Sequence, residues 1–176
     1  TALGSSALDA NLASHNTAVG KSAMAANTTG TRNTVVGNNA MDACTIGRYN
    51  VAMGYDALGT DIDGDNSVAL GYEALKTQES SSANQSVMNV AVGAGAGQLL
   101  TTGIKNTFVG GQCGQAGTIT GAENTGVGYY ALYTLAGGAY NTGIGKAALY
   151  LVAGGDYNTA VGFGAGAAVT SGDNNI

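Results

Sequence analysis

Residues 16–32 read NTAVGKSAMAANTTGTR, and variants of this stretch fill the 176-residue chain. The glycine that follows the apolar trio recurs at Gly4, Gly20, Gly37, Gly54, Gly71, Gly93, Gly110, Gly128, Gly145 and Gly162. The gaps between these glycines are 16, 17, 17, 17, 22, 17, 18, 17 and 17 residues. A fixed period of this size is typical of arrays whose repeats each form one supersecondary unit. We therefore predict a single repeat array over residues 1–176, with one coil centred on each glycine.

The residues before each glycine predict a short strand. Asn16, Thr17, Ala18 and Val19 represent four columns: mostly Asn, then Thr or Val, then a mostly small residue, then an apolar residue. β-Branched residues at alternate positions favour a strand with one buried face. We expect the Thr17 and Val19 columns to face the core and the Ala18 column to face outward. Stacked Asn side chains would form an amide ladder along the array.

Two further columns complete the predicted coil. After the glycine and two variable residues comes Ala and then Leu or Met, as in Ala23 and Met24, and we interpret this pair as a second short strand. A second glycine stands seven residues before the first, as Gly30 does, where a turn of positive φ would suit glycine. The predicted fold is an all-β, parallel β-solenoid of about ten ~17-residue coils.

Composition limits both the core and the partners. Thirty glycines, no proline and only 10% charged residues leave few large side chains to bury. A lone coil of this kind needs stacked neighbours, and the outward small-residue column offers a surface for other chains, so we expect a homo-oligomer. The net charge of −5 disfavours a nucleic-acid partner. No apolar run approaches the roughly 20 residues of a membrane span. Cys44 and Cys113 lie about four coils apart, near 20 Å, and are expected to be free buried thiols.

The columns resemble a known family. Residues 66–71, NSVALG, resemble the head repeat of YadA-like trimeric autotransporter adhesins. Residues 16–32 are more similar to the repeat arrays of bacteriophage tail fibres and related bacterial surface proteins, and the resemblance covers nearly the whole chain. It implies a left-handed β-roll, commonly homotrimeric, in an extracellular virion fibre or on a cell surface. It implies attachment to a host receptor, such as a glycan, and no active site. The coil is longer than the adhesin repeat, and phage and cell-surface origins both stay open.

Few residues suggest catalysis or metal binding. His15 is the only histidine, so one chain cannot assemble a Ser-His-Asp, Cys-His or His-metal cluster, and we expect neither an enzyme nor a cofactor. Asp61, Asp63 and Asp65 resemble part of a calcium loop, but the spacing lacks Gly at the sixth place and Glu at the twelfth. A solvated acidic turn is the favoured alternative.

The segment 76–88 contains five extra residues and is a predicted inserted loop. Insertions in repeat arrays often carry binding residues. The candidate receptor contacts are Lys76, Gln78, Glu79, Ser82, Asn84 and Gln85. The alternative is a tolerated surface insertion. We predict that deleting the five extra residues around Ser80 to Asn84 leaves folding intact, and a variant that fails to fold would make the loop structural rather than a binding element.

Tyrosines and threonines suggest two other surfaces. The pairs Tyr55–Tyr72, Tyr133–Tyr150 and Tyr140–Tyr157 are predicted to stack between adjacent coils, as stabilising ladders rather than as sugar platforms. A threonine array on a solenoid can also bind ice. Here Val51, Val68 and Val90 interrupt the Thr17 column, which we expect to face inward, so ice binding is the weaker hypothesis.

Overall fold

A computed structural model describes residues 1–80, 82 and 85–176 and confirms the β-solenoid. Ten strands form one parallel sheet in sequence order, and no helix occurs among the described residues. Equivalent repeat positions pair directly, as in Thr17 with Thr34 and Val19 with Val36. The strands are β1 Ala2–Leu3, β2 Thr17–Val19, β3 Thr34–Val36, β4 Val51–Met53, β5 Val68–Leu70, β6 Val90–Val92, β7 Thr107–Val109, β8 Thr125–Val127, β9 Thr142–Ile144 and β10 Thr159–Val161.

The two faces of the sheet are the reverse of the prediction. The middle residue of every strand from β2 to β10 is buried, whereas the first and third residues are half-buried or exposed. The cause is the narrow coil, in which the interior opposite most strands is already filled by Leu or Met, for example Met24 and Leu58. Only a small residue such as Ala18 fits beneath the strand in most coils. The Thr17 and Val19 columns therefore point outward.

The predicted second strand is a turn. Ala23 and Met24 are adjacent in sequence and both fully buried, which an extended strand with alternating faces does not allow. The backbone instead turns through left-handed residues, with φ of 56° at Ser22 and 51° at Met24. The turns still hydrogen-bond from coil to coil, since the Met24 amide donates to the Ala40 carbonyl at 3.0 Å. They form the corner that closes each coil.

The asparagine ladder is confirmed. The Asn124 amide N–H donates to Asn106 Oδ1 at 2.9 Å, and Asn106 Nδ2 donates to the Gly121 carbonyl at 2.9 Å. The same two contacts recur around Asn33 and Asn141. Each of these buried amides thus satisfies two backbone groups of the following coil.

The reason predicted for glycine in the second glycine column, a positive φ, is wrong. Gly47 and its equivalents are not among the positive-φ residues; the residue before each ladder position, such as Tyr49 with a φ of 60°, takes that conformation. A Cβ on Gly47 would instead lie 2.6 Å from the Gly64 carbonyl oxygen. Glycine is needed because successive coils approach too closely for a side chain.

One coil fills the core differently. Phe108 replaces the small middle residue of its strand and is fully buried. Gly97 and Gly114 stand in the column that holds Leu or Met in seven of the ten coils, and a Cβ at either would lie within 2.9 Å of the Phe108 ring. The ring therefore occupies the space that two missing side chains leave.

Both cysteines are free and buried, as expected. Desolvation by burial raises the pKa of the Cys44 and Cys113 thiols to about 12, so neither is a ready nucleophile.

Candidate functional site

The outward side of the sheet runs along the array from the first strand to the last. We define the outer sheet face as the first and third residues of strands β2 to β10. The first position is Thr or Val, and the third is Val, Met, Leu or Ile in all nine strands, with no charged residue among them. At about 4.8 Å per strand, its eight intervals extend roughly 38 Å.

Several side chains of this face are open to solvent. Met53 is 45% exposed, Ile144 40% and Val161 69%. All-parallel sheets are ordinarily covered on both faces. Large continuous apolar patches on soluble proteins generally mark interaction sites. The outer sheet face is therefore the candidate functional site, and its chemistry suits close packing against another apolar surface.

The inserted segment contributes less to the surface than predicted. Gln78, a candidate receptor contact, is fully buried, and that prediction is wrong. Its Oε1 accepts hydrogen bonds from Ser67 Oγ at 3.2 Å and from Asn89 Nδ2 at 3.0 Å. Ser67 is the one ladder position between Asn16 and Asn158 that lacks an amide, so Gln78 supplies the missing group.

The other loop candidates differ in their surroundings. Lys76 Nζ is held between Glu73 and Asp56, with 2.9 Å to an oxygen of each. Glu79 and Ser82 are exposed, and Gln85 is half-buried. Asn84 lies outside the described residues. Only part of the candidate set is therefore presented for contact with a receptor.

The predicted calcium candidates are not assembled into a site. Asp61 is buried and accepts from the Gly64 amide at 3.0 Å and from Gln78 Nε2. Asp65 accepts from the Arg48 amide at 2.7 Å and pairs with its guanidinium at 3.1 Å. Across residues 1–80, 82 and 85–176, no three His, Cys, Asp or Glu side chains are grouped to hold a metal. Desolvation raises the pKa of Asp61, which is typical of a buried structural carboxyl.

The three predicted tyrosine pairs are confirmed. Ring centroids lie 5.6 Å apart in Tyr55–Tyr72, 5.0 Å in Tyr133–Tyr150 and 4.7 Å in Tyr140–Tyr157, with near-parallel planes in each pair. Stacked aromatic pairs of this geometry stabilise adjacent coils by about 0.5–1.5 kcal/mol each.

The described part of the chain contains no helix long and apolar enough to cross a membrane.

No protein-family model matches the chain, and searches of curated proteins and of solved structures found no match either. The assignment of function therefore rests on the repeat pattern and the geometry above.

Proposed function

We propose that this chain is a structural module of an extracellular fibre, namely a phage tail fibre that attaches to a host surface. The observation that carries the proposal is the outer sheet face, a mostly apolar, uncharged strip running the length of a regular array. A fibre shaft needs a rigid repeat and a lateral surface through which chains associate, and this chain has both features.

The outer sheet face supports self-association in particular. Every coil presents the same pair of columns, so a second copy in the same direction would meet the same repeat at each step. Such repetition favours closed symmetric assembly, in which the same patch is used by every subunit. The association surface differs from the sequence expectation, because the small-residue column is inside the coil. The family resemblance implies three chains about one axis, and we propose a homotrimer.

The runner-up is a bacterial cell-surface adhesin or filament subunit. The same coil suits both settings, so the discriminating observation lies elsewhere in the reading frame. An endosialidase-type chaperone domain after the array would favour the phage fibre. A membrane barrel would favour the autotransporter.

Ice binding is a third candidate because one specific observation now favours it. Thr17, Thr34 and Thr107 and their equivalents in β8 to β10 point outward, contrary to the sequence expectation. The column is still interrupted by valine at β4, β5 and β6. Thermal hysteresis of the purified protein tests this candidate directly; ice shaping at micromolar concentration would favour it over the fibre.

Cysteine cross-linking tests whether the outer sheet face is the association surface. We expect Val109→Cys, which places a thiol on that face, to form intermolecular disulfides under mild oxidation. Asn38→Cys, exposed on a turn, is the matched control and is expected to remain uncross-linked. Equal cross-linking of both variants, or none at Val109→Cys, would contradict the proposal. Adsorption of fluorescently labelled protein to a panel of bacterial cells tests the attachment role.

A further inference from the structure

A notch interrupts the tyrosine column beside the sheet. The residue after the strand-ending glycine is Tyr55 and Tyr72 in two coils, Ala94 and Gly111 in the next two, and then Tyr129. Two small residues between two tyrosines leave a surface cavity of about 330 Å³, which we call the tyrosine notch. Tyr72 and Tyr129 form its ends, three coils or roughly 14 Å apart. This volume is within the range of small-ligand sites, about 300–1,000 Å³.

The wall of the notch carries a set of side-chain amides that hydrogen-bond to one another and to their neighbours. Gln115 Nε2 donates to Gln98 Oε1 at 2.7 Å, and Gln98 in turn donates to the Glu73 carboxylate. At the far end the Tyr129 hydroxyl donates to Gln112 Oε1 at 3.3 Å. Each planar group is held by a neighbour in the adjoining coil, so donors and acceptors are fixed before a ligand arrives. Such preorganisation lowers the entropy lost on binding.

The fold itself does not require the notch. Tyrosine occupies the equivalent position at Tyr55, Tyr72 and Tyr129, so the coil accepts a large residue there. Gly111 is not a positive-φ glycine, and a Cβ on it would lie 3.4 Å from Tyr129 Cδ2, an ordinary contact. The two end tyrosines do not form a ladder with each other, since two other coils lie between the coils that carry them. A purely structural role leaves the clustered glutamines and the gap unexplained.

We propose that the tyrosine notch binds a neutral saccharide, one or two sugar units of a surface glycan. Exposed tyrosine rings offer apolar faces to the C–H faces of a pyranose, and the amide and carboxylate wall pairs with its hydroxyl groups. Three charges adjoin the wall, the Glu73 and Asp56 carboxylates and the Lys76 ammonium. Their sum is negative, which disfavours acidic sugars. The proposal deepens the proposed function by naming the receptor chemistry, and it rests on that function for its biological role.

Saturation-transfer NMR on the intact chain tests the notch, with maltotriose, cellotriose, chitotriose and sialyllactose as probes. We expect at least one neutral trisaccharide to bind with a Kd of about 1 mM or tighter, and sialyllactose to bind at least tenfold more weakly. Gly111→Tyr fills the notch and should weaken binding at least tenfold. Tyr72→Ala removes one stacking face and should weaken it about threefold to tenfold.

Two controls keep these outcomes interpretable. Gly137→Tyr adds the same side chain where a Cβ would meet nothing within 4 Å, and its affinity should equal that of the unaltered protein. Gln98→Ala removes a wall amide without adding bulk and should also weaken binding, which covers the case in which Gly111→Tyr misfolds. No binding of any neutral probe at about 10 mM, a preference for sialyllactose, or full affinity in both Gly111→Tyr and Gln98→Ala would overturn the proposal.

The cell-adsorption assay separates this proposal from the fibre function. Adsorption to cells that persists in Gly111→Tyr, with no sugar binding by the unaltered protein, refutes the notch and leaves attachment standing. Sugar binding that Gly111→Tyr abolishes, without adsorption to any cell, supports the notch and refutes attachment.

Discussion

Phe108 and Gly114 share one volume of the core, and this gives a sharp test of the conclusion that the middle residue of the strand faces inward. Phe108 is fully buried, and the three atoms nearest to a Cβ built on Gly114 all belong to its ring, at 2.8, 3.0 and 3.0 Å. Phe108→Ala should cost about 3–5 kcal/mol, as aromatic truncations in packed cores do. Gly114→Leu alone should also destabilise, by about 2–5 kcal/mol, from overpacking and from the left-handed backbone.

The double variant Phe108→Ala/Gly114→Leu restores the combination found in most other coils. Leu is accepted at this backbone conformation elsewhere, as Leu132 with a φ of 52° shows. The new side chain refills most of the cavity, so the double variant should be more stable than Phe108→Ala. The coupling free energy should exceed about 2 kcal/mol in the favourable direction.

Equilibrium urea unfolding, followed by far-UV circular dichroism and tyrosine fluorescence, measures this cycle. Coincident transitions by the two probes are required before a single free energy of unfolding is assigned. Additive effects of the two substitutions would refute the reasoning, because they would mean that the ring and the Gly114 position do not share one interior space.

Three further substitutions test the ladder, the buried carboxyl and the close approach of coils. Asn106→Ala leaves one buried N–H and one carbonyl without partners and should cost about 2–5 kcal/mol by urea unfolding, whereas exposed Asn38→Ala should stay within about 0.5 kcal/mol. Burial raises the pKa of the Asp61 carboxyl in the folded protein, so its contribution to stability is present at pH values below the ordinary pKa of 3.8 and is lost as the pH rises through the raised pKa. Asp61→Asn should therefore raise the thermal midpoint at pH 7, with a gain that shrinks toward pH 3.8. A gain that does not depend on pH would contradict this reasoning. Gly47→Ala should destabilise by about 1–3 kcal/mol because its Cβ would meet the Gly64 carbonyl and Cys44 Sγ, and an effect no larger than that of Gly137→Ala would refute the steric explanation.

The repeat period predicted the strands and the asparagine ladder because both depend only on the in-register stacking of the coils. In-register stacking places every Asn at one corner, whatever fills the interior. The strand faces were not determined in this way. A three-residue strand such as Val90–Val92 has apolar residues at all positions, so alternation fits either parity. The width of the coil decides the parity, and the sequence carries a trace of it in Phe108, where a large residue coincides with glycine in the Leu column.

Two structural details also had sequence signals that the repeat columns obscured. Ser67 breaks the Asn column shortly before the insertion, and a buried amide from Gln78 repairs that break. The tyrosine notch appears as Ala94 and Gly111 between tyrosines, in the coils where Gln98 and Gln115 occur. Neither follows from period alone, because each depends on which columns lie beside each other across a turn.

The mass of the purified protein in solution, by size-exclusion chromatography with light scattering, tests the central claim most directly. Association through the outer sheet face predicts three times the 17.2 kDa chain mass. Val92→Lys, which places a charge on that face, should lower the mass to one chain while the circular dichroism spectrum stays unchanged. A mass of two chains would leave the outer sheet face as the association surface but would contradict the proposed trimer. A mass of 17.2 kDa for the unaltered protein throughout the micromolar range would contradict the account.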